Sequence, residues 1–508
     1  MEFTVNDVAV SVAAGGSLLD ALREDLMITS VKDGCSPQGQ CGCCTVWVDG
    51  QPRVSCVTPV VRVRGRRVTT VDALPDADVW AAQFARCGAS QCGFCTPGII
   101  MRAAALTPER RTDRAAVEQM LLAHQCRCTG WQPIVDAVVG FPGSPDTADQ
   151  VPVDRIASER RAALEGGVAQ SVGRHVALGR GGFADDTAPA DSLVAVRGVD
   201  GEWVVGESLD HARRLSAKVQ GRRTTAPTSW PIDVPDGEWD RTLRTTWVEP
   251  GYLEPDASWC EPGGEAMSSH GNGGAFGGKM DAALGRVARH LADQHGRAVR
   301  VLHTREDVVR VGPKRPPLAL GVRADGSGVL RVAATAGVTE RMAAWFPRIT
   351  VQQVDVRGPS TSLDLRGAVW AEVAAVLATQ QIGPTYSVTS PGGAVASASV
   401  GTNGDISVDV SCGAALDEVV LRSYCIGAVH MALGLVTSEA LSVDAAGVPH
   451  DLTMRSFGVL RAVDTPAIVV NVAVSDEEPV NGSDAVFAAV AAAVWADRGC
   501  PPRWPVSV

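Results

Sequence analysis

Lysine is almost missing from this chain. Only Lys32, Lys218, Lys279 and Lys314 occur among 508 residues, so arginine carries nearly all the positive charge. That is a bias of composition and implies no function by itself. Acidic residues outnumber basic ones, 57 to 46, for a formal net charge of −11. No basic stripe with interleaved aromatics occurs, which argues against a nucleic-acid binder. No window holds about 20 consecutive apolar residues, so no membrane-spanning helix is expected. The opening stretch MEFTVNDVAV lacks a basic region and a long apolar core, so no secretory leader is read there and a cytoplasmic chain is expected. The chain does have apolar residues, 45% against 20% charged. Its length allows several domains of roughly 100–200 residues each.

Fourteen cysteines are present, and eight of them fall into two groups near the start. Cys35, Cys41, Cys44 and Cys56 lie in GCSPQGQCGCCTVWVDGQPRVSC; Cys92, Cys95, Cys126 and Cys128 lie in QCGFCTPG and CRCTGW. Four thiolates gathered by tight turns form a soft-ligand cage, suited to iron–sulfur, zinc or copper(I). A short loop of three cysteines with a fourth further on is the plant-type [2Fe–2S] spacing. Zinc would favour two CxxC pairs on separate knuckles, and disulfides would need an oxidising compartment. Both stand as alternatives to two clusters that pass electrons singly. Cys43 and Cys87 are left over. Cys43 is read either as a substitute ligand or as a small packed neighbour. Cys260, Cys412, Cys425 and Cys500 are scattered, as small buried hydrophobes often are.

Residues 1–72 read as a β-grasp unit. Strands over 3–5 and 8–12 flank a hairpin turn at Asn6-Asp7. Ser17 caps the short helix LLDALRED, with Asp20 as its capping partner. Asp49-Gly50 turns a second hairpin that returns Cys56 to the cysteine loop. Residues 73–140 change to helical spacing. VWAAQFARCG, PGIIMRAAAL, RAAVEQMLLAHQ and WQPIVDAVVG predict four short helices, a bundle that would bring the second cysteine pairs together. GFPGSPDTADQVPVD then has linker chemistry, and RIASERRAALEGGVAQ reads as a solvated helix.

QCGFCTPG with CRCTGW, behind the ferredoxin-like loop, resembles the xanthine oxidase / aldehyde oxidoreductase family of molybdenum hydroxylases across residues 1–140. The resemblance implies an α+β multidomain chain. It divides into a β-grasp, ferredoxin-like [2Fe–2S] domain over 1–72 and a four-helix [2Fe–2S]-binding bundle over 73–140. A linker over 141–170 and a shortened, mixed α/β molybdopterin-binding-like region over 171–508 follow. One departure is visible: five residues separate Cys35 from Cys41, where the family has four.

In the second half, residues 270–279 read HGNGGAFGGK. A glycine-rich loop exposes N–H groups that can bind an anion; a plain tight turn before a helix over 281–294 is the alternative. The segment resembles the family's GGGFGGK motif, which lies against the molybdenum centre of the pterin cofactor. By that likeness Gly274, Phe276 and Gly277 are cofactor-binding candidates, with Ala275 in place of a glycine. Asp476-Glu-Glu-Pro479 falls where the family carries a terminal GEP, whose Glu is the base beside the metal, so Glu478 is the implied catalytic residue. A solvated acidic turn is the other reading. Arg357 and Arg366 lie in RGPSTSLDLRGAVWAE; either facing an anion is one reading, and a surface salt bridge is the other and the one expected.

Two functions compete at this stage. In one, the chain oxidises an aldehyde or N-heterocycle at a molybdenum–molybdopterin centre and passes the electrons through two [2Fe–2S] clusters. In the other, it is an electron-transfer subunit with a degenerate molybdopterin region that serves a separate catalytic partner. Both imply an external electron acceptor, a flavoprotein subunit or another redox carrier, because no flavin domain is evident. A scaffold or assembly protein is a third class.

Overall fold

The computed structural model describes residues 1–36, 38–141, 154–218, 226–268, 274–279, 283–381, 383–450, 452–473 and 475–506. The first sheet has five strands, in the order Val8–Ser11, Glu2–Val5, Arg67–Thr69, Thr45–Val48, Gln51–Val54. Both of its hairpins follow from local chemistry. Asn6 and Asp7 have φ of 52° and 66°, and Asp49 and Gly50 have 50° and 74°. Two successive left-handed residues match the right-handed twist of the flanking strands, which is why Asn, Asp and Gly stand there. The Ser17–Asp20 capping box is formed in both directions, and the helix behind it continues as a wider turn over Ala21–Asp25. Leu18, Leu22, Val46 and Val68 fill the space beneath the sheet.

The helical segment holds Ala77–Arg86, Thr96–Ala104, Arg114–Met120 and Gln132–Val139, joined by a short additional helix, Pro108–Thr112. Pro97 sits in the first turn of its helix, where its missing N–H costs nothing. Trp80 and Phe141 stack with ring centroids 3.6 Å apart, closing the bundle's end.

The charged run after the linker departs from expectation. Arg155–Gly166 is helical and Arg155 and Arg160 are exposed, but two of its charged residues are not solvated: Arg161 and Glu165 are fully buried and paired at 2.9 Å. The Glu165 carboxylate accepts the backbone N–H of Gly482 and of Ser483, at 3.1 and 2.9 Å. Those amides open the helix Ser483–Asp497, so a distant carboxylate does the work of an N-terminal cap. Of the linker, residues 142–153 lie outside the described set.

Three further sheets build the second half. One is mixed, in the order Met267–Ser268, Ala257–Cys260, Val299–Leu302, Leu193–Arg197, Trp203–Gly206. The second runs Ile349–Val354, Gly328–Ala333, Leu318–Val322, Arg241–Arg244; the third runs Thr385–Thr389, Val395–Val400, Ile406–Ser411, Ile468–Ala473. The helix over 283–295 begins beside the glycine-rich loop. Glu418–Thr437 is long and apolar enough to cross a membrane, but 83% of its most apolar window is buried inside the protein. It packs against Ser483–Asp497 as the core of the second half, so its composition is explained by burial.

Candidate functional site

The first cysteine group surrounds the loop 35–44 and the turn Ser55–Val57. Cys35 is in hydrogen-bonding contact with Cys41 and Cys56, and Cys56 also with Cys44. The contacts with Cys41 and Cys56 hold the Cys35 thiol well below its ordinary pKa, whereas Cys41 and Cys56 are pushed up. The Gln38 N–H donates to Cys35 Sγ at 3.1 Å. Gly34 is needed for close approach: a Cβ there would lie 3.1 Å from the sulfurs of both Cys41 and Cys43.

The second group joins the start of Thr96–Ala104 to the chain after the turn Leu121–Ala123. The sulfurs of Cys92 and Cys128 are 3.5 Å apart, and Cys95 contacts Cys126, which contacts Cys128. Cys128 and Cys95 draw the Cys126 thiol well below its usual pKa. Thr129 Oγ1 lies 3.2 Å from Cys126 Sγ. The two groups sit back to back. The Gln125 N–H donates to the Cys41 carbonyl at 3.0 Å, and Gly98 presses so closely on the loop that a Cβ there would be 2.4 Å from the Gly42 carbonyl. Cys43 lies between them, fully buried and packed beside Cys41.

Eight buried thiols with backbone N–H donors are a donor set that fits two iron–sulfur clusters. Among the described residues no group of three or more His, Cys, Asp or Glu is gathered for a single metal ion. Each thiol set instead forms a run of sulfur contacts, Cys41–Cys35–Cys56–Cys44 and Cys92–Cys128–Cys126–Cys95. Four thiols gathered in this way suit a two-iron core.

The second group is also the wall of the other candidate site. A Cβ on Gly274 would lie 2.8 Å from Cys128 Sγ. Phe276 has φ 43°, lies edge-on to Tyr424 at 6.1 Å and is covered by the Arg366 guanidinium at 3.8 Å. Phe276, Gly277 and Arg366 border a cavity of about 440 Å³, with Glu165, Arg341 and Asp484. The Ala275 methyl packs with Tyr252 and Val308. His270 to Gly273, the start of the loop motif, lie outside the described residues.

Two sequence expectations are corrected here. Glu478 does not border the cavity: its side chain is 82% exposed and pairs with Arg160 at 2.7 Å. Glu477 and Glu478 form an acidic surface turn, and a carboxylate in water lacks the burial that would tune it as a base. Arg366 is not a surface residue. Its side chain is 2% exposed and donates to Ser483 Oγ and the Glu165 carbonyl while pairing with Asp484. Arg357 is exposed. Sequence reasoning missed Glu165, Asp484 and Tyr424. The only signal was an acidic residue inside a charged helix, and it resembled solvent-facing polarity.

The cavity carboxylates are already engaged, Glu165 with Arg161 and two amides, Asp484 with Arg366, and Asp364 with Arg341. Among the described residues no unpaired carboxylate borders the cavity, although burial raises the pKa of Asp484 beside Arg366, and no catalytic step is derived there.

Comparison with known proteins agrees with the geometry. Residues 1–72 match the family described as 2Fe-2S iron-sulfur cluster binding domain, and residues 70–139 the [2Fe-2S] binding domain. The nicotine 6-hydroxylase small subunit of Paenarthrobacter nicotinovorans is 41% identical over 137 residues, 26% of this chain and 82% of that protein. The xanthine dehydrogenase iron-sulfur-binding subunit of Escherichia coli O157:H7 is 35% identical over 147 residues, 27% of this chain and 91% of that one. The solved aldehyde oxidoreductase from Desulfovibrio gigas aligns with TM-score 0.71 over 99% of both chains at 14% identity, a likeness of fold. On its two [2Fe–2S] domains and their relatives, the chain belongs to the xanthine oxidase / aldehyde oxidoreductase family, as an iron–sulfur oxidoreductase chain.

Proposed function

We propose that this chain is an electron-transfer subunit, cytoplasmic, serving a separate catalytic partner that oxidises an aldehyde or N-heterocycle. The observation that carries the reading is the pair of four-thiol cages packed back to back beside a cavity whose carboxylates, among the described residues, are ion-paired. Bound there, each [2Fe–2S] cluster would supply a one-electron redox centre. In this reading Cys35, Cys41, Cys44 and Cys56 hold one, and Cys92, Cys95, Cys126 and Cys128 the other. The chain's own work is to bury the thiolates, to donate N–H groups to them and to exclude water, all of which tune a potential. The relatives, one a small subunit and one an iron–sulfur-binding subunit, support a multi-subunit assembly. The acceptor would be a flavoprotein subunit or another redox carrier.

Intrinsic catalysis is the second reading, favoured by one observation: Phe276, Gly277 and the buried Arg366 do border a cavity. Iron and molybdenum analysis of the anaerobically purified chain separates the two. The expected result is about four irons per chain, no molybdenum, and no oxidation of aldehydes or purine-like rings with an artificial dye. Stoichiometric molybdenum together with dye reduction would overturn the electron-transfer reading. Cys92→Ser is expected to lose one cluster's spectrum and about half the iron; retention of both spectra would overturn the ligand assignment.

A further inference from the structure

The eight cage thiols are not equally covered. Cys56 is 8% exposed, whereas Cys35, Cys41, Cys44, Cys92, Cys95, Cys126 and Cys128 are at 4% or less. Cys56 is carried by the turn Ser55–Val57 at the surface of the first sheet. Beside it Val57 is 60% exposed and Val61 48% exposed. Val57 also touches the cage itself, since a Cβ on Gly39 of the cysteine loop would lie 2.6 Å from its Cγ1. An apolar side chain in contact with both the loop and water is a short path out of the protein.

The charge around this path is opposite to that of the molecule. Residues 51–67 contain Arg53, Arg62, Arg64, Arg66 and Arg67 and no acidic residue, in a chain of net charge −11. All five arginines are exposed. Arg66 and Arg67 are paired with Asp49 and Asp7, each at 2.7 Å. Arg53 and Arg62 and Arg64 have no ion pair among the described residues; the first donates to the Pro52 carbonyl and the last to Met1 Sδ. Uncompensated guanidinium groups in the same short stretch as two exposed valines combine polar and apolar surface as a transient protein interface does.

We infer that the strip over 53–64 is the docking face for an acidic one-electron carrier protein. The inference rests on the electron-transfer reading above and adds the exit point and the partner's charge. One electron passes from the reduced chain to the oxidised carrier across the Cys56–Val57 edge. The chain is oxidised by one electron, the carrier is reduced by one, and no bond is made or broken. A partner with a negative face is attracted to this strip while the rest of the acidic surface repels it, so encounter is both accelerated and oriented.

The test uses the full chain with its iron, reduced with dithionite and desalted. Two electron acceptors of opposite charge are mixed with it in a stopped-flow instrument: acidic cytochrome b5 and basic cytochrome c. The rate with cytochrome b5 is expected to fall about tenfold or more between low and moderate salt, and by a similar factor in Arg62→Glu/Arg64→Glu. The rate with cytochrome c is expected to rise in the same variant. Calorimetry of cytochrome b5 binding gives a readout independent of turnover, with affinity lost in the variant. Arg62→Gln/Arg64→Gln serves if charge reversal perturbs folding, and the salt dependence of the unaltered chain needs no variant. Rates with both carriers that ignore salt and charge reversal would overturn the inference while leaving the electron-transfer reading intact. Sedimentation with phosphatidylserine vesicles that is lost in the variant, with carrier rates unchanged, would overturn it in favour of a lipid surface. A chain that holds no iron would overturn the reading and the inference together.

Discussion

Asp185 ties the cysteine module to the second half by charge. Its carboxylate lies 2.6 Å from Arg23 and 3.2 Å from Arg300. Burial alone would raise its pKa, but Arg300 and Arg23 outweigh that and hold it below the ordinary carboxylate value. The native state thus binds this proton less readily than the unfolded chain. Stability from the carboxylate is fully present above its unfolded pKa of about 4 and is lost as pH falls below that, by at most about 1.4 kcal/mol per pH unit. Urea melts between about pH 5 and 3 are expected to show a shallower loss of stability in Asp185→Asn than in the unaltered chain, with the variant less stable at neutral pH. Glu478 makes a contrasting case at the same scale. Its pair with Arg160 is between two exposed side chains, so Glu478→Gln is expected to shift stability by no more than about 1 kcal/mol and to leave iron content and reduction by dithionite unchanged. Any loss of a cluster spectrum in that variant would contradict its placement at the surface.

The helix Arg155–Gly166 shows what an element can conceal. Its composition is that of a surface helix, yet Glu165 faces inward to cap Ser483–Asp497 and to hold Arg161, whose guanidinium also donates to the carbonyls of Ala415, Val480 and Ala414. Glu165→Gln leaves Arg161 buried without its counter-charge. The expected cost is about 3–5 kcal/mol, read as a lowered urea midpoint with an unchanged slope. Elements whose rules are local were legible in the sequence. The Asn6-Asp7 and Asp49-Gly50 turns and the Ser17–Asp20 box depend on residues no more than three apart, and each forms where the residues require it. The buried role of Glu165 depends on the amides of Gly482 and Ser483, 317 and 318 positions away. No periodicity within its own helix records that.

Across the whole molecule the same distinction divides the chain. Short cysteine spacings and their glycines prescribed the first 140 residues closely enough to suggest both cages. The cavity of the second half is bordered by Phe276, Arg366 and Asp484, drawn from three separate segments, with Tyr424 packed against Phe276, and spacing gave no hint that Arg366 would be buried over an aromatic ring. The halves are also laced together. Gln38 donates to the Leu452 carbonyl at 2.9 Å, and Arg455 donates to the carbonyls of Gln40 and Leu122 at 3.2 and 2.7 Å. Arg455 therefore fastens the first cysteine loop from outside. Arg455→Ala is expected to speed air bleaching of the first cluster several-fold, with the second cluster unaffected, as followed by electron paramagnetic resonance. Equal bleaching of both would show that the clamp protects neither selectively.

Cages this enclosed impose an order on iron entry. Seven of the eight cysteines end at 4% exposure or less, and the second group is roofed by Gly274 and Tyr424 from far along the chain. Iron added after the second half has closed is expected to enter the second cage more slowly than the first, whose Cys56 edge reaches the surface.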